Sequence, residues 1–320
     1  MRIVVLDAGT LGLAESQWNG FREYGELRLH DTTAADDATI VERLQGAGAV
    51  FTNKVPLRTA ALERLPELRF IGVLATGYNC VDIAAARACG ITVCNVPTYA
   101  AATTAQHAVA LILELCNRVG LHDASVREGD WVRSSHFSYW KQSPLELEGR
   151  IVGIVGYGTI GKRVGAAVQA LGAKVLASAR RPGRVPESDG FAWADNDLIF
   201  RTADIVSLHC PETEETRGLV NRERLRSMKP GAMLVNTARG GLVDELALAE
   251  ALREGPLRAA ALDVLRSEPM AADCPLRGLP NCVITPHMAW AGESARQRLL
   301  QTALSNLRAF LQGGAVNQVT

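Results

Sequence analysis

Short runs of β-branched and other apolar residues recur along the chain at 2–6, 49–52, 70–74, 91–95, 151–155, 174–179, 205–209, 232–236, 259–264 and 283–285. Each reads as a buried strand. Between them, segments with apolar residues at helical spacing predict helices over 38–45, 59–65, 83–88, 103–119, 162–171, 222–228, 245–253 and 292–312. Strands that alternate with helices imply parallel sheets covered on both faces, an α/β architecture. The 103–119 helix has few breakers and lies between two such α/β stretches, so it reads as a domain linker. The last helix has room to return to the first region. The expected organisation is one domain from 1–99 with 288–320 and a second from 100–287. A polar region with Trp131, Phe137, Tyr139 and Trp140 follows the linker, and its aromatics are candidates to pack on the other domain or on a second subunit.

One stretch carries more than a fold signal. Ile151-Val152-Gly153-Ile154-Val155 runs directly into Gly156-Tyr157-Gly158-Thr159-Ile160-Gly161, a G-x-G-x-x-G turn, then a helix, Gly172 and a second buried strand from Lys174. The glycines let the backbone turn tightly and approach a pyrophosphate, and the first helical turn aims free N–H groups at it. In this strand–turn–helix–strand setting the motif predicts dinucleotide binding; alone it would be a weak signal. An acidic residue about 20 residues beyond the glycines normally holds the ribose hydroxyls of NAD. Here that position falls near Ala179, and Arg180, Arg181 and Arg184 follow it. Guanidinium forks suit a 2′-phosphate, which points to NADP(H), with NAD as the alternative; a solvated basic loop is the bland reading.

Composition narrows the classes. The 320 residues are 48% hydrophobic, with 34 basic and 34 acidic side chains and no net charge, so no global field draws nucleic acid or an anionic membrane. The seven cysteines are odd in number, scattered and free of C-x-x-C pairs, which fits reduced thiols better than a disulfide framework or a zinc site; no metal is expected. The N-terminus runs straight into a strand without a signal-peptide pattern, and the apolar helix at 105–115 is far shorter than the ~20 residues of a membrane span. The expectation is a cytoplasmic protein acting on a small molecule.

Candidate chemistry sits at strand ends. Arg239, Glu268 and His287 each follow a predicted strand of the second region, and a parallel sheet puts those ends on the edge that carries the Gly156 turn. A histidine titrates near neutrality, a carboxylate beside it raises its pKa and fixes its ring, and an arginine fork binds a carboxylate or carbonyl oxygen. These are parts for proton transfer coupled to hydride transfer. Singly, each has an ordinary explanation as a loop residue. In the first region, Lys54 after the 49–52 strand and Thr76-Gly77-Tyr78-Asn79 after the 70–74 strand are candidate substrate contacts, with exposed loop filler as the alternative. His107 on the linker helix and His209 at a strand end are possible cleft residues, with satisfied packing histidines as the first reading.

Asn236-Thr237-Ala238-Arg239-Gly240-Gly241, Asp263 with Glu268-Pro269, and Thr285-Pro286-His287-Met288-Ala289-Trp290 resemble the signatures of the D-isomer-specific 2-hydroxyacid dehydrogenases. The Gly156 turn, His209-Cys210-Pro211 through Thr216, and Gly90 to Pro97 with Ala105-Gln106-His107 fit the same pattern. Phe51-Thr52-Asn53-Lys54-Val55-Pro56 looks most like its glycerate dehydrogenase/hydroxypyruvate (glyoxylate) reductase members. The resemblance implies two doubly wound domains, Rossmann-type for the cofactor and flavodoxin-like for the substrate, with the cleft between them. It implies His287 as acid/base, Glu268 as its partner, Arg239 as the substrate-orienting cation, and amides at Thr76 to Asn79 holding the substrate carboxylate. Thr103, Thr159, Ile160, Cys210, Pro211, Thr216, Thr237, Ala238 and Asp263 would line the cofactor cleft. A homodimer and reversible reduction of a 2-keto acid to its D-2-hydroxy acid are expected. A corepressor-like dinucleotide-binding regulator, a 2-ketogluconate reductase and a phosphoglycerate dehydrogenase are the alternatives.

Overall fold

The computed structural model describes residues 1–181, 183 and 190–320. The chain divides into two compact units, Met1–Ala100 with Ala291–Thr320, and Ala101–Trp290. Residues 288–290, grouped by sequence with the terminal helix, cluster with the second unit because the buried Asp263 carboxylate accepts the Met288 and Ala289 amides.

The first unit is a five-stranded parallel sheet of β1 (Arg2–Val5), β2 (Glu26–Leu29), β3 (Ala47–Thr52), β4 (Phe70–Val73) and β5 (Thr92–Cys94), in the order β2-β1-β3-β4-β5. β3 and β4 are apolar because helices cover both faces, and such strands bury nearly every side chain. A chain of aromatic contacts runs Trp18, Phe21, Phe51, Phe70, Phe310, with successive ring centroids 5.6, 5.0, 5.7 and 5.1 Å apart. Its last member lies on the Glu293–Leu311 helix, so that terminal helix is packed on β4 of this unit. Each buried ring contributes on the order of 1.5–3 kcal/mol through apolar burial.

The second unit is a seven-stranded parallel sheet. Its strands are β6 (Ile151–Val155), β7 (Lys174–Ser178), β8 (Phe191–Trp193), β9 (Ile205–Leu208), β10 (Met233–Asn236), β11 (Ala259–Leu262) and β12 (Cys282–Ile284), ordered β12-β11-β10-β9-β6-β7-β8. The Ala101–Asn117 and Thr159–Ala170 helices pack on one face and the Asn196–Thr202, Arg222–Ser227 and Glu245–Arg253 helices on the other. Strand order reverses beside β6, with β7 on one side and β9 on the other. Ligands of doubly wound sheets bind at the carboxyl ends of strands at such a switch point.

Two strands have no counterpart in the sequence reading, β2 and β8, and both lie on sheet edges. In Glu26–Leu29 only Leu27 is buried and in Phe191–Trp193 no residue is, so the apolar pattern is faint. The helix expected over 103–119 ends at Asn117, where Arg118 takes a left-handed conformation (φ 52°), and a new helix, Val119–Arg127, begins. No helix of the described residues is long and apolar enough to cross a membrane.

Candidate active site

The glycine turn is built for close backbone approach. Gly156 has φ +97°, and a Cβ there would stand 2.5 Å from the Cys210 amide nitrogen; a Cβ on Gly161 would stand 2.4 Å from the Gly156 carbonyl oxygen. Both glycines are required by packing. Gly158 differs: nothing lies within 4 Å of its would-be Cβ, so it opens onto free space. The helices starting at Asn196, Arg222 and Glu245 are capped by Asp195, Asn221 and Asp244 side chains, whereas the Thr159–Ala170 helix starts at Gly158 with no side-chain cap. Its first-turn amides, including those of Thr159, Ile160 and Gly161, are left for an anion.

Further members of the expected cofactor lining occupy the same sheet edge. Thr237 follows β10, and its hydroxyl oxygen is buried without a hydrogen-bond partner among the described residues, an orphan that a bound polar group would satisfy. Ala238 is held beside it by its amide's hydrogen bond to Asn236 Oδ1 (3.0 Å). Cys210 and Pro211 follow β9; Thr216 donates to the Pro211 carbonyl at 2.7 Å and closes that turn. Burial pushes the Cys210 thiol up, so it lines the edge as a neutral group. Thr103 is half-buried in the first turn of the Ala101–Asn117 helix. Past β7, Ala179 is half-buried and Arg180 and Arg181 are exposed, while Arg184 lies outside the described residues. Free space at Gly158, uncapped amides and the Thr237 hydroxyl together fit a dinucleotide.

At the ends of β11 and β12 the sequence-predicted acid/base pair meets. His287 Nδ1 lies 2.6 Å from Glu268 Oε2, and Glu268 Oε1 accepts the Leu265 amide at 2.9 Å. One carboxylate oxygen is thus pinned to the backbone and the other faces the imidazole. With Nδ1–H donated to Glu268, Nε2 is left to face a reactant. His287 sits at φ +50°, a left-handed conformation that costs a non-glycine residue about 1–3 kcal/mol and persists only where its surroundings fix it.

Those surroundings centre on Asp263, which is 1% exposed. Its carbonyl accepts the His287 amide at 2.8 Å. Its carboxylate accepts the Thr285 hydroxyl at 2.6 Å and the Met288 and Ala289 amides at 2.9 and 2.8 Å. His107 Nε2 closes the network, 3.0 Å from Thr285 Oγ1 and 3.4 Å from Asp263 Oδ1. Burial alone would raise the Asp263 carboxyl, but His107, Thr285 and the two amides outweigh it and hold it below the usual carboxylate range. Asp263, expected as a cofactor contact, is the anchor of the His287 segment, and His107 is part of that anchor rather than a packing residue. Nothing in the spacing of 107, 263 and 285 signals this.

A match to the profile described as D-isomer specific 2-hydroxyacid dehydrogenase, NAD binding domain, covers residues 109–289 and includes the glycine turn, Arg239, Glu268 and His287. The chain belongs to the D-isomer-specific 2-hydroxyacid dehydrogenases. It is 42% identical over 320 residues to the hydroxypyruvate reductase of Blautia hydrogenotrophica, covering 100% of this chain and 99% of that one. It is 40% identical to the glycerate dehydrogenase of Methylorubrum extorquens, covering 99% and 98%. The solved structure of the TT0316 protein from Thermus thermophilus superposes over 100% of both chains with a TM-score of 0.90 at 36% identity.

In this dehydrogenase Arg239 is presented by a turn that Asn236 ties, its Nδ2 donating to the Arg239 carbonyl at 2.8 Å. The neighbouring Gly240 lets that turn press on the Glu268 loop, since a Cβ there would stand 2.0 Å from Leu265 backbone. The Arg239 guanidinium itself is exposed and turned back onto the Ala238 carbonyl, 2.7 Å away, so it is not brought onto Glu268 or His287. His209 is no rival for the acid/base role: its Nε2 is 2.9 Å from Ser207 Oγ, and burial pushes it down to about 4, leaving it neutral near pH 7. In the first unit, Thr76 donates to the Val96 carbonyl (2.9 Å), while Tyr78, Asn79 and Lys54 are exposed.

Proposed function

We propose that this dehydrogenase reduces a small 2-keto acid of the hydroxypyruvate or glyoxylate type to its D-2-hydroxy acid, reversibly. The Ala101–Trp290 unit holds the dinucleotide and the Met1–Ala100/Ala291–Thr320 unit presents the substrate loops. The observation that carries the reading is the 2.6 Å Glu268–His287 pair on the sheet edge of an uncapped, glycine-lined helix start. Bound at the Gly156–Gly161 turn, the nicotinamide dinucleotide supplies the hydride. His287 Nε2 gives the proton to the keto oxygen, and Glu268 holds the ring in the tautomer and orientation that make this transfer direct. Arg239 swings from Ala238 to present its fork to the substrate carboxylate and carbonyl. Lys54 and the amides at Thr76, Gly77, Tyr78 and Asn79 receive the carboxylate. The names of the relatives support this substrate class, and the ordered acid/base pair favours an enzyme over a dinucleotide-binding regulator. Assays of hydroxypyruvate, glyoxylate, pyruvate and 2-ketogluconate with each cofactor test it; turnover of none of them rejects it.

NADPH is the preferred cofactor in this reading. Ala179 stands where an acid would bind ribose hydroxyls, and the exposed Arg180 and Arg181 beside it suit a 2′-phosphate. Changing Ala179 to Asp and both arginines to neutral residues is expected to move kcat/KM toward NADH. A native enzyme with higher kcat/KM for NADH contradicts the assignment.

The protein is a homodimer in the same reading. Trp131, Val132, Phe137 and Trp140 are 52, 90, 91 and 63% exposed, a group of large apolar side chains within ten residues that a second subunit would cover. Sedimentation is expected to show a dimer that Trp131→Ser with Phe137→Ser dissociates; a native monomer at micromolar concentration sinks it.

A further inference from the structure

The five-stranded sheet has its own switch point, between β1 and β3, and an unusual buried group stands there. Asp7, just past β1, is 3% exposed, and its carboxylate accepts successive amides of the segment that follows β3. Asp7 Oδ1 takes Asn53 N at 2.8 Å, and Oδ2 takes Lys54 N at 2.6 Å and Val55 N at 3.3 Å. Thr10 extends the hold, donating to the Asp7 carbonyl at 2.7 Å and accepting the Asn53 side-chain amide at 3.0 Å. The same segment is tied to the next candidate loop, for Leu57 N donates to the Cys80 carbonyl at 2.7 Å and Cys80 Sγ lies 3.7 Å from the Asn53 carbonyl.

We infer that Asp7 is a positioning residue for substrate binding: by threading the Asn53, Lys54 and Val55 amides, it fixes the turn that presents Lys54 and couples that turn to the Thr76–Asn79 loop. The inference rests on the reading of Lys54 as a substrate contact. A carboxylate this buried is expensive unless its lone pairs are filled, and here the filling groups are the amides of the segment in question. Burial pushes the Asp7 carboxyl up, against the three amides and the Lys54 charge, so its charge is kept inside the sheet edge at a cost in stability. A neutral cap would end β3 without that cost. What the carboxylate adds is a rigid backbone at the residue whose ammonium meets an anion, and a cation on a fixed turn loses less freedom on binding.

Asp7→Asn puts an amide donor against backbone donors and releases Lys54 N, Asn53 N or both. With hydroxypyruvate and saturating NADPH, Lys54→Ala is expected to raise KM about tenfold, the size of a lost charge-assisted hydrogen bond. Asp7→Asn is expected to raise KM by a similar factor while kcat and NADPH affinity hold, and to add nothing in the Lys54→Ala background. Multiplying KM effects, or an Asp7→Asn loss confined to kcat and melting temperature, would make Asp7 merely structural and overturn the inference. If Asp7→Asn does not fold, Thr10→Val loosens Asn53 without touching the buried charge, and an unchanged KM in that variant overturns it equally. An unchanged KM in Lys54→Ala would reject the substrate role of Lys54 itself, and the Asp7 inference with it, whereas a raised KM there with no effect at Asp7 rejects the Asp7 inference alone.

Discussion

His287→Ala is expected to lower kcat roughly 10²–10⁴-fold, the usual size of a positioned general acid, while dinucleotide affinity survives. The ring lies at the end of β12 against Glu268, away from the Gly156–Gly161 turn at the end of β6, so its loss removes the proton donor without disturbing the anion-binding amides. As the proposed donor in reduction, the ring must carry the proton that it gives to the keto oxygen. In alcohol oxidation the neutral ring takes that proton back, so the loss is expected in both directions. Glu268→Gln should lower kcat as well, because the ring loses the carboxylate 2.6 Å away that fixes its tautomer and orientation. Steady-state kcat in both directions, with dinucleotide binding measured separately, checks this. Near-native turnover in His287→Ala would mean that the proton comes from elsewhere.

Asp263→Ala is expected to be the most destabilising single change at the site, about 3–5 kcal/mol. It removes a buried carboxylate and leaves the Met288 and Ala289 amides and the Thr285 hydroxyl without their acceptor. Activity should fall as well, because the left-handed backbone of His287 would lose the frame that holds it. Denaturant unfolding of the native and variant proteins measures the first effect and kcat the second. The pH sign follows from the lowered Asp263 carboxyl: its contribution is fully present above the ordinary carboxylate value and is lost as pH falls through the depressed one, below about pH 4. A variant that unfolds at the native denaturant concentration, with the native acid profile, would show that the network around Asp263 holds nothing together.

Much of this was legible along the chain, for physical reasons that are local. Eight strands have a neighbour on each side, and the edge strands β5 and β12 are themselves almost wholly apolar, so these ten appear as apolar runs. The glycine turn shows because only glycine tolerates the Cβ positions 2.4–2.5 Å from backbone at Gly156 and Gly161. Glu268 and His287 were readable as candidates because parallel strands send their carboxyl ends to one edge. The edge strands β2 and β8 were not, since Glu26–Leu29 buries only Leu27 and no residue of Phe191–Trp193 is buried.

What the linear pattern could not carry is any arrangement made by side chains from distant segments. Asp7 and Lys54 are separated by β2 and the Asp37–Leu44 helix, and Asp263 and His107 by most of the second unit; they meet only because β1 lies beside β3 and because the Ala101–Asn117 helix packs across β10 and β11. Residue type, spacing and turn chemistry determined the family and the fold class and pointed to the candidate reacting groups. Tertiary structure decided which polar groups hold those reacting groups in place, because a buried hydrogen bond depends on the three-dimensional neighbour that desolvates and satisfies it, and sequence separation says nothing about that neighbour.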